Sequence, residues 1–310
     1  MAQELRIIFM GTPDFAVPTL QKLVENHYPV VAVITAPDKP AGRGLILTPS
    51  PVKEYAKSQN IPVLQPVNLK SEAFIQELRG YRANLQIIVA FRMLPEVVWS
   101  MPEIGTFNIH GSLLPDYRGA APINWALING EKETGVTSFF LRHQIDTGDI
   151  LLQAKIKIEE QDDFGSLYEK LKHLGADVAL KTVRAIENNQ VQPQPQPQNA
   201  ELKEAPKISK EFCEIKWEQS AMQIQNFIRG LAPYPGAWTK INGKILKIYR
   251  AEVLPPTADN QGPPAPGTYQ TDNKTFLHFF TSQGVLKITD LQIEGKKRMR
   301  TEELLRGFKF

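Results

Sequence analysis

The sequence has 310 residues, a length beyond that at which a single hydrophobic core usually stops growing, so two domains are expected. With 42% hydrophobic and 22% charged residues it has an ordinary globular composition, no apolar run reaches spanning length, and its single cysteine, Cys213, excludes an internal disulfide and a multi-cysteine zinc site. The formal net charge of +3 conceals an asymmetry: residues 1–198 sum to −2 and residues 199–310 to +5, which makes a polyanion a candidate partner for the last third.

The first apolar run, LRIIFMG at 5–11, is too early and too short for a signal peptide and reads as a core strand. A cytoplasmic location is therefore expected, and the lone cysteine agrees with it. Further β-branched or aromatic runs follow at 30–36, 85–91, 105–112, 136–141 and 150–158. Between them, 12–26, 50–60 and 71–80 read as helices, each opened by a Ser or Thr cap and two with Pro at the first helical position. The stretches 122–130 and 164–189 add two more helices. This alternation predicts βαβ units around a mostly parallel open sheet, whose ligands bind outside the carboxyl ends of the strands.

The run QVQPQPQPQ at 190–198 breaks the rhythm, because alternating Gln and Pro can neither form a helix nor pair centrally in a sheet. It predicts a semi-extended linker, extended here to 190–209, between a domain at 1–189 and another at 210–310. In the latter, CEIKW at 213–217 reads as a strand and 220–231 as a helix capped by Ser220. Asn242-Gly243 marks a two-residue hairpin within 237–254, and strands follow at 275–282 and 285–294. Short strands with one inserted helix suggest a small β-barrel of the oligonucleotide-binding kind.

Gly11 stands between a strand and a helix, but GTPDFA lacks the further glycines of a dinucleotide fingerprint, and no P-loop motif occurs. Gly11 is read instead as a tight strand-to-helix turn. The stretch most able to carry chemistry is FNIHGSLLPDYRGAAP at 107–122. On a strand, Asn108 and His110 project to one face, with Phe107 and Ile109 on the other. An imidazole moves protons near neutral pH and an amide N–H steadies a developing oxyanion, so the pair suits acyl transfer, although a polar residue at a strand end is commonly only a hydrogen-bonded structural group. Asp146, in IDTGD, is either an ordinary turn residue or the carboxylate that orients His110. His27, His143, His173 and His278 fall in a turn, a loop, a helix face and a barrel strand, and no spacing suggests a metal. Arg43, flanked by glycines in an exposed and mobile loop at 36–47, can reach a phosphate or a base edge. Lys203, Lys207 and Lys210 near the linker, and Lys296, Lys297, Arg298 and Arg300, are basic groups that equally suit a solvated face.

The string NIHGSLLPDYRGAAPINWALINGEKETGV followed by IDTGD resembles the folate-dependent formyltransferase family, with its Asn-x-His, SLLP and distal Asp. The segments IIFMGTPDFAVPTL, PDKPAGRG, APKISKE, IRGLAPYPGAW and GKK with ELL-x-G resemble its tRNA-modifying members, so the likeness spans nearly the whole chain. The resemblance implies a Rossmann-like catalytic domain followed by an OB-like domain. It implies transfer of the formyl group of 10-formyltetrahydrofolate to the methionine amine of a charged initiator tRNA, without a metal, by a monomer. It assigns catalysis to Asn108, His110 and Asp146, tetrahydrofolate binding to Ser112, Leu113, Leu114 and Pro115, and tRNA contact to Arg43, Lys203, Lys207 and Lys210. The chain departs from the family pattern at Arg92 and at Gln144-Ile145, beside the expected folate pocket. Two alternatives remain at this point. One is formyl transfer to a sugar amine or to glycinamide ribonucleotide, against which the linker and the basic last third stand. The other is a catalytically silent nucleic-acid-binding protein, against which the intact trio stands.

Overall fold

A computed structural model describes residues 4–41, 46–197, 201–255 and 264–310. The chain divides into two compact units. Unit 1 comprises Met1–Gly119, Thr134–Ile156 and Tyr168–Glu204, and unit 2 comprises Ala120–Glu133, Lys157–Leu167 and Ala205–Phe310. Two stretches that the sequence places inside 1–189 thus group with the second unit.

In chain order the elements begin with β1 (Ile7–Gly11), a 3-10 turn, α1 (Val17–Glu25), β2 (Val30–Ile34), β3 (Lys39–Ala41), β4 (Ile46–Thr48), α2 (Pro51–Ser58), β5 (Val63–Leu64), α3 (Glu72–Gly80), β6 (Leu85–Val89) and α4 (Glu96–Trp99). They continue with β7 (Gly105–His110), β8 (Arg118–Gly119), α5 (Pro122–Ile128), β9 (Glu133–Phe140), β10 (Ile150–Lys157), α6 (Phe164–Glu187) and β11 (Glu204–Ala205). The remainder is α7 (Ala221–Leu231), β12 (Ala237–Ile241), β13 (Lys244–Leu254), β14 (Tyr269–Thr271), β15 (Leu277–Phe280), β16 (Val285–Ile293), β17 (Met299–Arg300) and α8 (Thr301–Leu305).

Unit 1 carries a seven-stranded sheet in the order β10-β9-β7-β6-β1-β2-β5. Strands β7, β6, β1, β2 and β5 run parallel, and β9 pairs antiparallel with β7. This is the mostly parallel, Rossmann-like architecture. Ile7, Ile8, Phe9 and Met10 are all buried, as expected of a strand covered on both faces. From β1 the chain builds outward through β2 to β5 and then returns to β6 on the other side. The strand order therefore reverses beside β1, the position at which open sheets of this kind place their ligands, outside the carboxyl ends of the strands. Gly11 ends β1 there: a Cβ on it would lie 2.6 Å from the Ala16 Cβ and 3.1 Å from the Val89 carbonyl oxygen. Close approach, not phosphate binding, accounts for this glycine.

Only one of the three expected Ser/Thr caps in unit 1 closes on its helix. Ser50 Oγ accepts from the Lys53 amide at 3.1 Å, whereas Ser71 makes no side-chain cap bond. Thr12 lies outside its helix and accepts instead from the Ala36 amide at 3.3 Å, because the chain first makes a 3-10 turn over Asp14–Ala16. The stretch expected as an exposed loop at 36–47 contains a ladder, with Lys39–Ala41 antiparallel to Ile46–Thr48. Arg43, between them, lies outside the described residues.

In unit 2 the sheet order is β12-β13-β16-β15-β14, with β17 on β16, a curled antiparallel arrangement of the OB-like kind. The hairpin residues Asn242 and Gly243 have φ of 47° and 75°, as the two-residue turn requires. Ser220 and Gln223 form a reciprocal capping box at the start of α7. Ile224, Ile228 and Leu231 of that helix join Leu246, Ile248, Phe279, Leu286 and Leu291 in the core, where Trp217 stacks on Phe279 at 4.4 Å. CEIKW is not a strand; its backbone forms one bridge to the sheet, from Glu214 to Trp238, while Cys213, Ile215 and Trp217 pack into the core. Helix α5 belongs here because Asn124 Nδ2 donates to the Gly230 carbonyl at 2.8 Å, and a Cβ on Gly230 would lie 2.7 Å from Ile128 Cγ1.

Candidate active site

Strand β7 delivers Asn108 and His110 to the carboxyl edge of the unit 1 sheet, next to β6 and β9. His110 is buried, and its Nε2 lies 2.8 Å from the Tyr117 carbonyl oxygen. A carbonyl only accepts, so Nε2 carries the proton and Nδ1 is the remaining basic nitrogen. Nδ1 faces Asp146 Oδ2 at 3.9 Å, and the Phe139 ring meets the imidazole edge-on. Asp146 Oδ2 in turn accepts from the Gly119 amide at 2.9 Å. The structure thus brings His110 and Asp146 together across two loops.

Asn108 supplies the most informative atom of the site. Its Oδ1 is buried and has no hydrogen-bond partner. Leaving such an acceptor unpaired costs on the order of 1–3 kcal/mol, and an amide can turn to present its N–H at the same place. Left-handed backbone also occurs along this edge: Ala90 after β6 and Tyr117 beside His110 have φ of 48° and 62°, values unusual for residues other than Gly, Asn or Asp, and Asp146 has φ of 54°.

The SLLP stretch is built into the wall of this edge. Ser112 and Leu114 are buried, with Ser112 Oγ donating to the Asp116 carbonyl at 2.7 Å. The Leu114 amide donates to Thr137 Oγ1 at 3.1 Å, Thr137 Oγ1 donates to the Ser112 carbonyl at 2.7 Å, and Gln153 Nε2 donates to the Leu114 carbonyl at 2.9 Å. Leu113 and Pro115 are only partly buried. Any ligand at this loop therefore meets Leu113, Pro115 and backbone rather than the Ser112 or Leu114 side chains. Thr137 and Gln153, which hold the loop, carry no motif that would mark them in the sequence.

Arg92 donates to the Val67 carbonyl at 3.0 Å and also to that of Pro66, tying the turn after β6 to the segment after β5. Ile145 is exposed. Lys203 is exposed in unit 1 with its Nζ 5.8 Å from the centre of the Tyr117 ring. Lys207 and Lys210 are exposed in unit 2. There Trp125 Nε1 donates to the Pro206 carbonyl at 2.8 Å and Trp238 Nε1 to the Lys210 carbonyl at 3.0 Å, so two indoles pin the backbone around these lysines. Arg298 is paired with Asp290 through two bonds of 2.9 and 2.7 Å and lies over Tyr249. Among the described residues no group of three His, Cys, Asp or Glu could hold a metal, and no helix is long and apolar enough to cross a membrane.

The family described as formyl transferase matches residues 5–183, and its C-terminal domain matches residues 207–309. The chain belongs to the formyl transferase family. It is 52% identical over 314 residues to a protein of Bacteroides fragilis named methionyl-tRNA formyltransferase, covering 99% of this chain and 96% of that one. Among solved structures it resembles HypX from Aquifex aeolicus in complex with tetrahydrofolic acid, at 20% identity and a TM-score of 0.65, covering 98% of this chain and about half (47%) of that one. It also resembles an N-formyltransferase from Helicobacter canadensis in complex with folinic acid and dTDP-3-aminofucose, at 20% identity and a TM-score of 0.66, covering 92% of this chain and 98% of that one. The two structures share the formyl transferase fold. The match to the Bacteroides protein runs through both units and carries the functional likeness.

Proposed function

We propose that the chain transfers the formyl group of 10-formyltetrahydrofolate to the α-amino group of methionine on initiator tRNA, acting as a monomer in the cytoplasm. The observation that carries this reading is the meeting of Asn108, His110 and Asp146 at the carboxyl edge of the sheet, in a chain 52% identical to a methionyl-tRNA formyltransferase. The orphaned Oδ1 of Asn108 fits a site built for a polar group that the protein itself does not supply.

The folate donor supplies a formyl carbon open to attack by an amine. His110 Nδ1 is placed to take the proton that the attacking amine loses, because Nε2 is committed to Tyr117. An imidazolium formed there lies 3.9 Å from Asp146 Oδ2, whose negative charge attracts it. The Asn108 amide steadies the negative charge developing on the formyl oxygen; as the tetrahedral intermediate collapses, the bond from the formyl carbon to the folate nitrogen breaks, that nitrogen takes up the proton held at His110 Nδ1, and tetrahydrofolate leaves. Leu113 and Pro115 offer an apolar wall for the pterin, and Ser112 and Leu114 hold that wall in place. The protein's residues need no metal for these steps. Lys203, Lys207 and Lys210 contact tRNA phosphates, in keeping with the +5 balance of residues 199–310, and Arg43 reaches the acceptor stem of the tRNA.

The test is direct. Protein incubated with 10-formyltetrahydrofolate and charged initiator tRNA is expected to yield N-formylmethionyl-tRNA; transfer only to a sugar amine or a ribonucleotide would overturn the acceptor assignment. Arg43→Ala is expected to hurt initiator tRNA more than elongator methionyl-tRNA, and equal losses would remove its discriminating role.

A further inference from the structure

The run QVQPQPQPQ has the composition of a passive spacer, yet residues 190–197 group entirely with unit 1. Gln194 exchanges both backbone hydrogen bonds with Ile150, at 2.8 and 2.9 Å, at the edge strand β10, where a proline-interrupted segment can still pair. Gln196 is buried, at 7% exposure. Its amide nitrogen donates to the carbonyls of Asp146 and Gly148, both at 2.8 Å. Its amide oxygen accepts from Arg118 Nε at 3.1 Å and from a terminal Arg118 nitrogen at 2.5 Å.

These partners lie on the two loops that hold the reacting pair. Arg118 directly follows Tyr117, whose carbonyl receives His110 Nε2, and it directly precedes Gly119, whose amide binds Asp146 Oδ2. Asp146 itself, at φ 54°, sits in the loop before β10. One buried side chain therefore bridges the loop that orients His110 and the loop that presents Asp146. Lys203 reinforces the first loop, accepting from the Tyr117 amide at 2.5 Å and donating its own amide to Asp116 Oδ1 at 3.3 Å.

We propose that Gln196 is a positioning residue that sets the His110–Asp146 geometry, so that the stretch assigned to a linker is a structural part of the formyl-transfer site. This rests on the function proposed above. A glutamine suits the task because its two N–H donors and one carbonyl meet two backbone carbonyls and one guanidinium with no group left over.

Two variants separate the contributions. Gln196→Glu keeps acceptors for Arg118 but loses both donors to the Asp146 loop; Gln196→Met loses both sets. In steady-state formyl transfer each is expected to lower kcat by about 10- to 100-fold, with KM for donor and for charged tRNA changed by less than about threefold, since misplacement of a proton-transfer pair slows chemistry and leaves binding in place. In imidazole-detected NMR of the full chain, the His110 ring resonances are expected to move while those of His27, His143, His173 and His278 stay in place. Unchanged kcat with unchanged His110 resonances in folded variants would overturn the proposal, as would a lower thermal midpoint with normal kcat in the folded protein. If the unaltered protein transfers no formyl group, the proposed function fails, and the His110 resonances still decide whether Gln196 positions the pair.

Discussion

Unit 2 follows the local rules of protein architecture closely, and unit 1 breaks them at several places, among them the edge that carries Asn108 and His110. In unit 2 the hairpin has Asn-Gly where φ must be positive, α7 has a complete capping box, and the core aromatic pair is stacked. In unit 1, among the described residues, three buried side-chain oxygens have no partner: Thr19 Oγ1, Asn108 Oδ1 and Asp149 Oδ1. Ala90, Tyr117 and Asp146 adopt left-handed backbone at the carboxyl ends of its strands. Departures from local consistency at an edge that also carries Asn108 and His110 point to function, whereas a unit whose turns, caps and core agree locally shows no such tension.

The strongest way to break this contrast is to remove the orphaned group. Asn108→Ala is expected to slow single-turnover formyl transfer by about 100- to 1000-fold, the typical loss of one oxyanion donor. Thermal stability is expected to hold or rise, because a buried unpaired acceptor disappears. His110→Ala is expected to match the kinetic loss. Full activity in either variant would show that the edge is merely irregular.

Next in size is Gly148→Ala. A Cβ on Gly148 would lie 1.5 Å from the Phe140 carbonyl oxygen, so the Asp146 loop must move away from β9. Chemical denaturation is expected to show a loss on the order of 3 kcal/mol, with activity falling further than folding alone explains. A neutral result would mean that the loop tolerates displacement and that the Asp146 geometry is not tightly set.

How far the sequence reveals this edge depends on the range of the interaction. Asn108 and His110 are legible because a strand's two-residue period puts them on one face, and Gly11, Ser50, Ser220 and Asn242-Gly243 are legible because caps and turns are local. The approach of Asp146 to His110 is not, since it depends on the antiparallel return of β9 against β7 and on the Gly119 amide. Gln196 is least legible: glutamine among prolines is typical of a spacer, and only the folded chain reveals that its amide makes four hydrogen bonds. Thr12 and Ser71 mislead in the opposite direction, since the residue type suits a cap but the chain path in one case, and the side chain in the other, goes elsewhere.

A smaller effect tests the charge of unit 2. Lys207→Ala combined with Lys210→Ala is expected to lower affinity for tRNA of any sequence and to reduce the slope of log affinity against log salt by about 2, while single-turnover chemistry on bound substrate stays unchanged. An unchanged salt slope would place the polyanion elsewhere.

The smallest effects come from pH, and they divide the units by sign. In unit 1, Tyr168 donates to Asp14 Oδ1 at 2.7 Å; burial, and then that carboxylate, push its phenol well above the ordinary value. A raised folded value means stability that is complete below the ordinary tyrosine value of about 10 and is lost as pH climbs through the folded one. In unit 2, burial and then the Lys287 charge hold His278 below the ordinary imidazole value, with Asp272 opposing. A lowered folded value means stability that is present above about 6.5 and is lost as pH falls through the folded one. Amide hydrogen exchange across a pH series is therefore expected to show unit 1 loosening on the alkaline side and unit 2 on the acid side. Tyr168→Phe should flatten the first limb and leave the second, and His278→Phe should do the reverse. Limbs that survive both substitutions would mean that other groups titrate there, and that the two units do not differ in the way their buried ionisable groups suggest.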